Sequence, residues 1–85
     1  MFTGGWTDFC ALRAEDESLF KETMTLKGVD YKPFAVATQV VNGTNYKFLC
    51  NATAVTNPPR RFLAQVIIYA PLEGQAVITH ISELN

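Results

Sequence analysis

Gln39-Val40-Val41-Asn42-Gly43-Thr44-Asn45-Tyr46 is the stretch whose reading decides the fold. Asn-Gly stands between two runs rich in apolar and β-branched residues, the strongest short-range signal for a β-hairpin. A tight primed turn needs positive φ at both central residues, and Asn and Gly tolerate it best. The stretch is therefore expected to be a hairpin tip, with Asn42 and Gly43 both in the left-handed region and a strand on either side.

Beyond Gly28 the hydrophobic period is two, and β-branched and aromatic residues dominate. Four strands fit this pattern: Pro33 to Val41, Thr44 to Val55, Arg61 to Ala70 and Gln75 to Leu84. Their connections are short and carry turn chemistry, in Asn42-Gly43, Asn57-Pro58-Pro59-Arg60 and Pro71-Leu72-Glu73-Gly74. Short connections make neighbouring strands antiparallel. In the second strand, alternation sends Tyr46, Phe48, Cys50 and Ala52 to one face and Lys47, Leu49, Asn51 and Thr53 to the other, with the first set expected to meet a helix.

That helix is expected from Ala14 to Leu26. Glu15, Asp16 and Glu17 stand in its first turn, where the dipole favours anions, Leu19, Phe20, Thr23, Met24 and Lys27 share one face, and Gly28 stops it. Residues 1–12 precede it and contain Gly4-Gly5, a pair that neither a helix nor a central strand favours, so they are expected to form an exposed, flexible arm with Trp6 packed back on the body. Residues 1–85 then make a single α+β domain, one α-helix packed across a four- to five-stranded antiparallel β-sheet, because neither element can bury its apolar face alone.

Composition narrows the function. A chain of 85 residues buries only about two-thirds of its unfolded surface and has room for one core. Seven Lys and Arg against eight Asp and Glu leave a net charge of −1 with no basic stripe, which argues against nucleic acid as a partner. The longest apolar runs, such as Val66-Ile67-Ile68-Tyr69-Ala70, fall far short of a bilayer span, so no membrane partner is expected. The amino terminus has no basic region followed by an apolar one. This favours a cytoplasmic location, although a secreted protein read after cleavage of its leader gives the same sequence.

Cys10 and Cys50 are too few for a disulfide framework and lack metal-site spacing; both are expected to be free thiols buried as small hydrophobes. With His80 they are also the sole candidates for a nucleophile and base. His80 reads as a solvent-facing strand histidine, and no third residue stands at a recognisable spacing to orient it. No catalytic residues, metal or cofactor are expected.

Gln39 to Gly43 also spell Q-x-V-x-G, followed by Thr44-Asn45-Tyr46, and this string resembles the first inhibitory hairpin of the cystatins, protein inhibitors of papain-like cysteine proteases. In that family three segments form a wedge that enters the protease cleft: a Gly near the amino terminus, the Q-x-V-x-G hairpin and a second hairpin loop that often holds Pro-Trp. Here Gly4 and Gly5 precede the helix by a similar span, and Pro71-Leu72 stand in the second loop with Leu in place of Trp. Asp30-Tyr31-Lys32-Pro33 and Pro71-Leu72-Glu73-Gly74 look like small bacterial or single-domain members. The resemblance implies a reversible, competitive inhibitor whose partner is a papain-like cysteine protease. Gly4, Gly5, Gln39, Val40, Val41, Asn42, Gly43, Pro71 and Leu72 would form the protease-binding set, with Gly43 at the closest approach to the protease main chain. It implies further an active monomer and a domain-swapped dimer when the first hairpin opens. The alternative is a cystatin-fold binding module without inhibitory activity, kept open by Leu72. Two Asn-x-Thr triplets, Asn42-Gly43-Thr44 and Asn51-Ala52-Thr53, are glycan acceptors in a eukaryotic secretory pathway, and a glycan on Asn42 would block the tip.

Overall fold

In the computed structural model, which describes residues 4–84, one helix lies across one face of a four-stranded antiparallel meander. The helix α1 is Ala14–Thr23; the strands are β1 (Val29–Val41), β2 (Gly43–Ala54), β3 (Arg60–Ala70) and β4 (Val77–Leu84), in spatial order β1-β2-β3-β4. The expected α+β arrangement is met, and every strand pairs with its neighbour in sequence, as short turns require.

The helix-side face follows the expected alternation. Phe48, Cys50 and Ala52 of β2 are buried with Val36 of β1 and Ala64, Val66 and Ile68 of β3, and Phe20 of α1 closes the cluster. The Phe20 ring meets Phe48 edge-on at a centroid distance of 4.9 Å and an interplanar angle of 64°, a favourable geometry for opposed ring quadrupoles. Tyr46 also stacks on Phe48, with centroids 6.2 Å apart.

The helix ends at Thr23, three residues before the expected Leu26. Thr23 Oγ1 donates to the Leu19 carbonyl at 2.7 Å, and Met24 turns to an extended conformation (φ −83°, ψ 91°) after its own N–H reaches the Phe20 carbonyl. Thr23 and Thr25 flank that exit, and both lose χ1 freedom in a helix. Lys27 consequently lies outside the helix. Asp16, placed in the first turn for its charge, is buried rather than solvated. One carboxylate oxygen accepts from the Arg13 backbone N–H at 2.9 Å and from Arg13 Nε at 3.3 Å, which satisfies a donor the helix start leaves orphaned. The carboxylate also holds the exposed Arg13 guanidinium above its ordinary pKa through this hydrogen bond and its charge. Asp16→Ala is expected to cost about 1–2 kcal/mol, read as a lower urea midpoint at unchanged slope.

β1 begins at Val29, four residues before the expected Pro33. Val29 and Tyr31 pack on the core while Asp30 and Lys32 are exposed, so the period of two extends back to Gly28. Pro33 sits inside the strand without penalty because a bulge follows it: Pro33 pairs with Cys50, Ala35 with Leu49, and Phe34 is the extra residue. The ends of β2, β3 and β4 differ from expectation by one or two residues.

The amino-terminal segment is exposed, as its glycines suggest, yet it is hydrogen-bonded to the body. It runs antiparallel beside β1: Gly4 N–H donates to Val40 O (3.0 Å), Thr7 N–H to Thr38 O (2.8 Å), and Cys10 and Val36 exchange a pair of bonds (3.0 and 2.9 Å). Residues 1–3 of the expected arm lie outside the described residues. Among those described, no helix is long and apolar enough to cross a membrane.

Candidate functional site

Six of the nine residues singled out from the sequence as protease-binding sit on two adjacent β-turns, and the fold joins those turns directly. β1 and β2 reverse through Asn42, with Val41 paired to Gly43 and Val40 to Thr44. Of the two tip residues, Gly43 alone takes positive φ (+110°), and Asn42 does not, so the expected primed turn with both residues left-handed is corrected to a tighter reversal. Thr44 pairs with Ala70 at the end of β3, which sets the Asn42-Gly43 tip against the Pro71-Leu72 loop. The Tyr69 hydroxyl donates to the Asn42 carbonyl and ties the two turns further.

Gly43 is where the turns meet. It is buried, and a Cβ built there would lie 3.0 Å from Pro71 Cα and only 2.5 Å from the Ala70 carbonyl oxygen, a distance that real Cβ atoms essentially never show. The missing side chain of Gly43 leaves space for the second loop of its own chain. Gly43→Ala is therefore expected to strain both turns, through the positive φ and through the contact with Ala70, at a cost of about 1–3 kcal/mol. A thermal melt reads this, and an unchanged midpoint would contradict the contact.

The remaining candidates fall around this junction. Val40, on the strand just before the tip, is 67 % exposed, and Leu72, at the apex of the second loop, is 78 % exposed. Val41 and Pro71 are half-buried beneath them and Asn42 is exposed at the reversal. Gly4 joins from the arm through its bond to Val40, and a Cβ on Gly4 would stand 3.2 Å from the Val40 oxygen. Gly5 is exposed with open space around it. Gln39 does not stand with Val40 and Leu72. It pairs with Asn45, and its side-chain amide bonds to the arm and to the Asn45 side chain. One end of the molecule thus carries three segments distant in sequence: the arm, the first turn and the second loop.

No protein-family model matches the chain, and no curated protein is similar to it.

Tyr69 and Ala70 are parts of this end that the sequence left without a role, and Asn45 enters there only as part of the hairpin string. Tyr69 and Ala70 follow from the strand register, once Thr44 is known to pair with Ala70; the Asn45 link to Gln39 follows from the hairpin register itself, which brings the two side chains opposite each other.

The cysteines and the histidine do not converge. Cys50 points into the core from β2, whereas His80, opposite Ile67 on β4, is exposed on the face away from the helix. Cys10 lies beyond β1, at the opposite edge of the sheet from His80, about four strand spacings of ~4.8 Å away. Both thiols are free. Cys50 is buried as expected, and burial pushes its thiol pKa up to about 12, because the apolar core disfavours the thiolate. Cys10 is exposed, which corrects the expectation that both are buried; it lies on the arm, paired with Val36 at the edge of the sheet rather than within it. A thiol reagent at neutral pH is expected to titrate one group in the native protein and two after denaturation; two fast-reacting native thiols would place Cys50 outside the core.

Proposed function

We propose that the protein is a reversible, competitive inhibitor of papain-like cysteine proteases, acting through the end of the molecule that carries the arm, the first turn and the second loop. The observation that carries this reading is the exposure of Val40 and Leu72 beside two turns braced through Gly43. Two large aliphatic side chains at one tip, on backbone already fixed by the Thr44–Ala70 pair and the Tyr69 hydroxyl, form a narrow apolar ridge suited to a cleft between two walls. A rigid ridge loses little conformational entropy on docking, so useful affinity is within reach of an interface of about 800 Å² per partner.

The turn backbone also explains why a bound inhibitor of this kind would survive. A protease cleaves an extended segment laid along its cleft, whereas β1 and β2 reverse at Asn42 and offer the catalytic thiol a closed turn. Access is blocked without a scissile bond being presented. The Q-x-V-x-G resemblance at Gln39 to Gly43 and the Pro71-Leu72 loop name the protease class; cystatin-like identity of the fold belongs to the same proposal. The active species is the monomer, since opening the first hairpin to exchange α1 and β1 between two copies would straighten the tip itself.

Titrating papain activity with increasing protein tests this. The expected result is loss of activity that is relieved by raising substrate, with the inhibitor recovered at intact mass. Full papain activity at equimolar, micromolar protein would favour a cystatin-fold module that binds another partner, the reading that Leu72 in the place of Trp supports.

A further inference from the structure

We propose that Gln39 is a positioning residue, whose side-chain amide clamps the amino-terminal arm onto β1 so that the arm meets a protease already in place. This rests on the inhibitor reading for its consequence in binding, but not for the clamp itself. Gln39 Nε2 donates to the Gly4 carbonyl at 2.9 Å, while the Gly4 N–H donates to the Val40 carbonyl at 3.0 Å, so both backbone groups of Gly4 are held by consecutive residues of β1. The amide cannot turn over freely. Asn45 Nδ2 donates to Gln39 Oε1 at 3.1 Å, and with the oxygen so engaged the amide presents its N–H₂ group to Gly4.

Two further contacts extend the strap. Thr7 and Thr38 bond twice, backbone to backbone and through Thr7 Oγ1, and Lys47 Nζ lies 4.1 Å from the centre of the Trp6 ring. The ring therefore packs on the body across β1, on the face away from the helix. Gly4 suits its place, since a Cβ there would stand 3.2 Å from the Val40 oxygen and press the two backbones apart by a few tenths of an ångström. An arm ordered before encounter avoids the entropy cost of ordering at the interface, which is how a residue that points away from Val40 and Leu72 could raise affinity.

Trp6, the single tryptophan of the chain, reports the arm without any added label. The test compares the full chain with Gln39→Glu, Asn45→Asp and a deletion of residues 1–5, alone and combined, by acrylamide quenching of Trp6 and by inhibition of papain. Gln39→Glu replaces the donor with an oxygen facing the Gly4 carbonyl. Asn45→Asp leaves Gln39 intact but attracts its Nε2, turning the oxygen towards Gly4. Both are expected to raise quenching of Trp6 towards that of the denatured chain and to weaken inhibition about tenfold, with the melting temperature nearly unchanged. Combined with the deletion, either substitution is expected to have less than a twofold further effect.

Unchanged Trp6 quenching in both variants would overturn the clamp. Equal loss of affinity from Gln39→Glu in the full and the shortened chain would also overturn it, and would make Gln39 a direct contact. Should the full chain not inhibit papain at all, the inhibitor reading falls, while the quenching of Trp6 in the two variants still decides whether Gln39 holds the arm.

Discussion

Val40→Asp combined with Leu72→Asp is expected to weaken inhibition of papain about a thousandfold or more, roughly 4 kcal/mol, in a protein whose melting temperature hardly changes. The two side chains are 67 % and 78 % exposed in the free protein, so neither contributes much to the core, and a carboxylate at either site stays solvated until a partner arrives. In a cleft each would be stripped of water with no cation of this chain to pair with, and burying an unpaired charge costs several kcal/mol. The single variants should each lose a large part of the effect, and the pair need not be additive, because both sit on one braced ridge. Inhibition constants with the two single variants and the double variant check this. Inhibition of normal strength in the folded double variant would mean that the contact surface lies elsewhere.

The largest effect on stability is expected at Phe48. It is fully buried at the centre of β2, against the edge-on ring of Phe20 and the stacked ring of Tyr46. Phe48→Ala removes most of a large side chain from the contact where Phe20 of the helix meets the sheet. It also leaves a void that Val36, Val66 and Ile68, all fixed in paired strands, cannot collapse to fill. Such truncations cost about 3–5 kcal/mol. A domain of 85 residues has about 4–13 kcal/mol in total. The melting temperature should therefore fall by tens of degrees, at about 4–8 °C per kcal/mol for a domain of this size. A fall of only a few degrees would show that α1 is not anchored through the Phe20–Phe48 contact.

What the sequence revealed and what it withheld divide along one physical line. Features set by local chemistry were legible. Alternation in Tyr46 to Ala52 announced which face of β2 is buried, Gly28 marked the boundary between helix and sheet, and Asn42-Gly43 marked the reversal. Features set by what a residue meets from elsewhere in the chain were not. Gly43 reads as a turn glycine, and only the pairing of Thr44 with Ala70 reveals that it is packed under a second loop. Gly4-Gly5 reads as a loose leader, because the bonds that fasten Gly4 come from the Val40 carbonyl and the Gln39 side chain, 35 or more positions away. Asp16 reads as a first-turn anion favoured by the helix dipole, and its burial under Arg13 is not visible in the sequence. The early helix end at Thr23 belongs between the two: its threonines are visible in sequence, but apolar Met24 and Leu26 continue the helical period past it.

Hydrogen exchange of the protein with and without papain tests the central claim most directly, because it reports binding and its location together. Added protection is expected at Gly4 to Trp6, at Val40 to Thr44 and around Leu72, with the exposed strand β4 near His80 unchanged. Protection confined to β4 or to the sheet face away from the helix, or no protection anywhere at micromolar papain, would contradict the account.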